Sequence, residues 1–119
     1  MLTRYIHDCK AFTAGDKTTI REILHPQKEG VDIRYSLAYA SVKEGKASIP
    51  HRLKTSEVYY ILKGRGIVHI NDESAEVSSN HTVFIPPNAL QHIQNTGDSE
   101  LAFLCIVDPA WREEDEEVL

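Results

Sequence analysis

The sequence predicts an all-β fold, a small double-sheet jelly roll of about eight or nine short strands, and three observations predict it. Short runs rich in β-branched and aromatic residues recur along all 119 residues. Turn residues separate most of these runs, and helical periodicity is nearly absent. The length suits one core, so the expectation is a single domain over residues 1–119.

Thr18 to Leu24 reads as the first strand, stopped near His25-Pro26 and the loop Gln27 to Gly30. Val31 to Val42 alternates most cleanly. Its odd positions are Val31, Ile33, Tyr35, Leu37 and Tyr39, its even ones polar or small, which predicts Tyr35 and Tyr39 on the inner face. His51 to Ile61, if extended, puts His51, Leu53, Thr55, Glu57, Tyr59 and Ile61 on one face and Arg52, Lys54 and Ser56 on the other. Further strands follow at Glu57 to Leu62, Gly66 to Ile70, Ala75 to Val77, Thr82 to Ile85, His92 to Gln94 and Leu101 to Val107. Lys63-Gly64, Asn71-Asp72, Pro86-Pro87-Asn88 and Asn95-Thr96-Gly97-Asp98 supply the turns between them.

Charge excludes some partners. The net charge of -5 belongs to the acidic tail within residues 112–119, because Glu113 to Glu117 are five acids without a base. The remainder is balanced, with no basic patch to neutralise phosphates, so nucleic acid and anionic membranes are poor partners. The tail itself reads as a solvated charge run beyond the last strand. No long apolar run and no signal-peptide pattern is present, so a soluble, cytoplasmic chain is expected. Cys9 and Cys105 lack metal or redox spacing, and Cys105, inside LAFLCIVD, reads as a small buried residue.

Two stretches within 45–95 carry the chemistry. Gly45, His51, Glu57 and Gly64 match the spacing G-x5-H-x-H-x3-E-x6-G, with Leu53 at the second histidine. Pro86 and Asn95 match G-x5-P-x-G-x2-H-x3-N, with Asn80 and Asn88 at the glycines and Gln91 at the histidine. Asparagine enters the left-handed region readily, so both turns can survive. A register shifted by one residue would place His92 instead of Gln91, but would bring polar Gln94 inward and expel Ile93. Parity favours Gln91. On these motifs the chain resembles the cupin family, which implies a double-stranded β-helix barrel with its site inside.

The resemblance further implies a divalent metal, iron, manganese, nickel or zinc, on the motif histidines and glutamate. Carried over, the ligands would be His51, Glu57 and Gln91, a mixed and weak set, with Leu53 removing one donor. Without metal, the same three form a hydrogen-bonded cluster in which a desolvated Glu57 and His51 can exchange protons. Tyr35, Tyr39 and Tyr59 are expected to wall a small-molecule ligand. His69 is the one remaining histidine whose parity leaves entry to the site open; His7, His25, His81 and His92 are placed in loops or facing out. Two functions follow: an enzyme catalysing isomerisation, epimerisation or oxygenation of a small sugar or carboxylate through Glu57 and His51, or a non-catalytic small-molecule binding module. A homodimer is expected, with the edge at Thr18 to Leu24 available to a partner.

Overall fold

A computed structural model describes residues 1–119. Eleven strands form two antiparallel sheets. Those of the first half are β1 (Ala11–Thr13), β2 (Thr19–Leu24), β3 (Ser36–Val42), β4 (His51–Leu53), β5 (Ser56–Lys63) and β6 (Arg65–Ile70). The rest are β7 (Glu73–Ser78), β8 (Thr82–Ile85), β9 (Gln91–Asn95), β10 (Leu101–Asp108) and β11 (Glu116–Val118). One sheet has the order β1-β2-β3-β10-β5-β8 and the other β11-β4-β9-β6-β7, the two faces of a jelly roll. The apolar core lies between them, with Ile61, Ile85, Ile93, Leu101 and Phe103 almost wholly buried.

The turns follow the residue chemistry. Asn80 and Asn88 adopt φ of 74° and 66°, so asparagine does carry the left-handed positions where glycine was replaced. Gly64 must be glycine on two counts. Its φ is 89°, and a Cβ there would sit 2.6 Å from the Glu100 carbonyl oxygen.

Three expectations are corrected. The strand expected over Val31 to Val42 begins only at Ser36, and its even residues face the interior, where Ser36, Ala38 and Ala40 line a cavity. Tyr39 packs on the opposite face with Ile23 and Ala102, beneath His7 of the N-terminal segment, and Tyr35 is exposed. Alternation misled because both faces of β3 are covered: a barrel that holds a cavity puts its small residues inward and its large ones under the N-terminal cover. Second, β2 is no free edge, because β1 pairs along it from Ala11↔Arg21 to Thr13↔Thr19. Third, the acidic tail is not simply solvated. Glu113–Asp115 forms a 3-10 turn, and β11 pairs with β4 at Glu116↔Leu53, Glu117↔Arg52 and Val118↔His51. No helix is long and apolar enough to cross a membrane.

Candidate functional site

Inward alternation along β4, β5 and β9 brings the motif residues together. His51 and Leu53 on β4, Glu57 and Tyr59 on β5, and Gln91 on β9 are all buried. Gln91 is the residue of the second motif that faces inward, 1% exposed, while His92 lies on the outer face with its ring stacked on that of His69 at 4.2 Å. His69 therefore does not enter the site. His25, expected in a loop, is buried there, outside the site, and bonds to the Trp111 carbonyl at 2.9 Å.

A buried amide must satisfy both of its ends, and Gln91 does so by bridging the sheets. Its Oε1 accepts from the Tyr59 hydroxyl at 2.8 Å, and its Nε2 donates to Glu57 Oε1 at 3.1 Å. Glu57 has no cation beside it. Burial pushes its pKa up to about 8, opposed by the Gln91 hydrogen bond and reinforced by Asp16 and Glu116, so the carboxyl is protonated at neutral pH. Burial likewise raises Tyr59 well above its ordinary value, and Glu57 adds to the effect. The tyrosine stays a hydroxyl donor.

His51 is oriented from the other side. A carbonyl oxygen can only accept, so the 2.8 Å contact to Ile49 O fixes the proton on Nδ1. Nε2 then faces Asp16 Oδ2 at 3.5 Å. Asp16 is held by its own turn, where its Oδ1 accepts from the Thr18 amide at 3.0 Å and from the Thr18 hydroxyl at 2.6 Å.

These groups line one cavity, partly open to solvent, whose water-accessible core is about 90 Å³, far smaller than a drug-sized pocket of roughly 300–1,000 Å³. Its walls are mainly apolar, including Phe12, Leu53, Phe103 and Trp111. Three acids face it, Asp16, Glu57 and Glu116, and a fourth at the rim, Glu22, is paired with Lys28 at 2.6 Å. No lysine or arginine lines it. Asp16 and Glu116 were not anticipated. The Asp16-Lys17-Thr18 sequence does signal a side-chain-capped turn, but nothing in it gives the direction of the free oxygen. For Glu116 the only hint is the apolar pair Val118-Leu119 after the acids.

The donor set does not fit the implied metal. No three His, Cys, Asp or Glu side chains converge to hold an ion. The Gln91 oxygen that would coordinate accepts from Tyr59, Glu57 Oε1 accepts from Gln91, and Leu53 fills the remaining position. An iron, manganese, nickel or zinc ion would have to compete with the Tyr59–Gln91–Glu57 chain for two of its three ligands.

Protonation of Glu57 links stability to pH. The folded chain holds this proton up to about pH 8, whereas an ordinary carboxyl near 4.5 releases it in the unfolded chain. The contribution is therefore complete below about pH 4.5 and is lost as pH rises toward about 8, at a rate of at most about 1.4 kcal/mol per pH unit. Glu57→Gln should flatten the fall in denaturation midpoint between pH 5 and pH 8 that the parent chain displays. Parallel curves for the two proteins would count against a neutral Glu57.

Comparison with known proteins places this geometry in a family. The family model for the cupin domain matches residues 38–107. An uncharacterized protein of Methanocaldococcus jannaschii is 40% identical over 112 residues, covering 92% of this chain and 88% of its own. An oxalate-binding protein of Thermotoga maritima is 33% identical over 51 residues, 43% of this chain and 42% of its own. Among solved structures, a predicted oxalate decarboxylase of Thermotoga maritima superposes with a TM-score of 0.80 at 18% identity, over 91% of this chain and 99% of that one. A nucleoside dehydratase from Streptomyces superposes with a TM-score of 0.78 at 19% identity, over 100% of this chain and 91% of the other. At those identities the structures carry the fold alone, while the family match spans more than half of the sequence. The chain, with its motif glutamate and first histidine in place and glutamine at the last ligand position, belongs to the cupin family.

Proposed function

We propose that the barrel is a metal-independent site for a small, uncharged hydroxylated molecule of the sugar class, on which Glu57 and His51 move protons in an isomerisation or epimerisation. The observation that carries the reading is a wholly buried Glu57, whose pKa burial pushes up to about 8, beside a His51 whose Nδ1 is committed to the Ile49 carbonyl, both lining one cavity. In the step proposed, His51 Nε2 takes the proton from the carbon beside a carbonyl, and Glu57 gives its proton to the carbonyl oxygen. The bond electrons of the C–H become the C=C of an enediol. His51 returns the proton to the neighbouring carbon while the ionised Glu57 takes the proton of the hydroxyl that becomes the new carbonyl, which isomerises the ligand and restores both groups. Epimerisation takes the same return on the opposite face of the first carbon, after the enediol has turned over in the cavity, with Glu57 taking its own proton back. Asp16 supports the step by facing the imidazolium that proton capture creates. Low local polarity strengthens that attraction.

Charge separates the two substrate classes that the sequence left open. Oxalate, named for two Thermotoga maritima proteins, is a dianion, and this cavity offers it acids without a lysine or arginine. A neutral sugar suits it better. Of the three tyrosines expected against the ligand, Tyr59 alone lines the cavity, which supports a contact from it.

The test is proton exchange. Sugars and hydroxyketones of three to six carbons, incubated in D2O with EDTA present, are expected to take up deuterium beside the carbonyl, detected by NMR. Glu57→Gln and His51→Asn should each slow uptake by about a hundredfold or more. Tight binding of such a ligand by the parent chain without exchange would replace catalysis with the binding-module reading. Exchange abolished by EDTA and restored by a divalent ion would overturn the metal-independent reading.

The same proposal includes assembly as a cytoplasmic homodimer. With β2 covered by β1, the support for self-association moves to the outer face of the six-stranded sheet. There Phe84 is 62% exposed opposite Val58, which in turn pairs with the exposed Ile106. Light scattering is expected to give twice the chain mass, reduced to one chain by Phe84→Glu. A monomeric parent chain would contradict it.

A further inference from the structure

His69 and His92 lie far apart in the sequence, and the register of β6 with β9 sets them directly opposite each other. Both strands are interior to the five-stranded sheet, whose order is β11-β4-β9-β6-β7. Val68 and Ile93, their chain neighbours, are buried between the sheets, so alternation sends both histidines to the outer face. Directly opposite residues of an antiparallel pair have Cβ atoms about 4.5–5.5 Å apart. The two rings close that gap, with centroids 4.2 Å apart and planes that differ by 5°. Ladder pairing from Gly66↔Asn95 to Ile70↔Gln91 fixes the backbones on either side. The sheet itself therefore builds the pair.

The other imidazoles are committed elsewhere. His51 donates to the Ile49 carbonyl, His25 joins the Gln27 amide to the Trp111 carbonyl, and His81 is bound at Ser78. His7 packs edge-on against Tyr5 and Tyr39. The rings of His69 and His92 instead stack on each other, half-exposed. Neutral imidazole is the commonest metal ligand, and two of them suit copper, nickel or zinc better than the harder cations. Metal–nitrogen bonds of about 2.0–2.1 Å bring two nitrogens on one ion to roughly 3–3.5 Å from each other. Rotation of the two side chains reaches that separation from the stack with the strands in place. Exposed Ser74, opposite His69 on β7, and exposed Gln94 on β9 leave room for water at the remaining positions. Inside the barrel the same ion would find one imidazole, and oxygens of Gln91 and Glu57 that already accept hydrogen bonds.

We propose that His69 and His92 form a two-imidazole site for a borderline divalent cation, copper, nickel or zinc, on the outer face of the five-stranded sheet. The sheet separates this pair from the cavity, so the site and the proton-transfer reading stand or fall separately.

The full chain, stripped with EDTA and exchanged into fresh buffer at pH 7.5, can be titrated with nickel chloride by calorimetry. One equivalent is expected to bind. His69→Asn and His92→Asn should each weaken binding by about tenfold or more, since even a residue that only supports a ligand is worth roughly 10–100-fold. Melting curves show whether the variants are folded. A second measurement needs no variant: substoichiometric copper(II) should broaden the NMR ring-proton signals of His69 and His92 before those of the other histidines. Absence of binding by the parent chain overturns the proposal, as does binding that survives undiminished in either variant. Broadening that begins at another histidine overturns it too, and at His51 it would put the ion in the barrel.

Discussion

The hydrogen-bond chain from Tyr59 through Gln91 to Glu57 is the constraint on which the rest of the interior depends. It crosses the barrel, since Tyr59 and Glu57 belong to β5 of the six-stranded sheet and Gln91 to β9 of the five-stranded one. An amide fits this place because it accepts at one end and donates at the other. A donor-only or acceptor-only side chain would leave either the tyrosine or the glutamate unsatisfied, at about 1–3 kcal/mol for each orphaned group. The chain also commits the two atoms most suited to a metal. Once the Gln91 oxygen holds the tyrosine and burial raises Glu57, what remains of the motif is a carboxyl group and an imidazole facing the cavity.

Cavity and charge then follow from how the barrel is closed. Ser36, Ala38 and Ala40 on β3 are too small to fill the interior opposite Tyr59 and Phe103, and the space they leave is the cavity. The termini cap it, and with them come Asp16, Glu116 and Trp111. The barrel therefore supplies His51, Glu57 and most of the cavity walls, while the segments outside the family domain supply Asp16 and Glu116.

Most of the fold was legible in the sequence because its strands have one clear inner face. The parity of β4, β5 and β9 placed His51, Glu57, Tyr59 and Gln91 correctly, and the chemistry of asparagine anticipated the turns at Asn80 and Asn88. Parity failed at β3, where Tyr39 is buried on the face away from the cavity under the N-terminal segment. A period of two locates alternate faces and does not say which face is the core when both are covered. The three-residue strands β1 and β11 gave too little pattern to find. Glu116 was hidden for a further reason: within a run of five acids, one inward residue has the same composition signal as its solvated neighbours.

The central claim is that burial keeps Glu57 protonated at neutral pH, and it can be observed at that one group. With glutamate carrying a 13C label at the side-chain carboxyl, the NMR shift of Glu57, assigned by its absence in Glu57→Gln, is followed from pH 4 to pH 10. The account predicts a titration midpoint near 8, with the protonated shift intact at pH 6. A midpoint close to the ordinary 4.5 would contradict it, because an ionised Glu57 could neither donate a proton nor sit in this cavity without a cation.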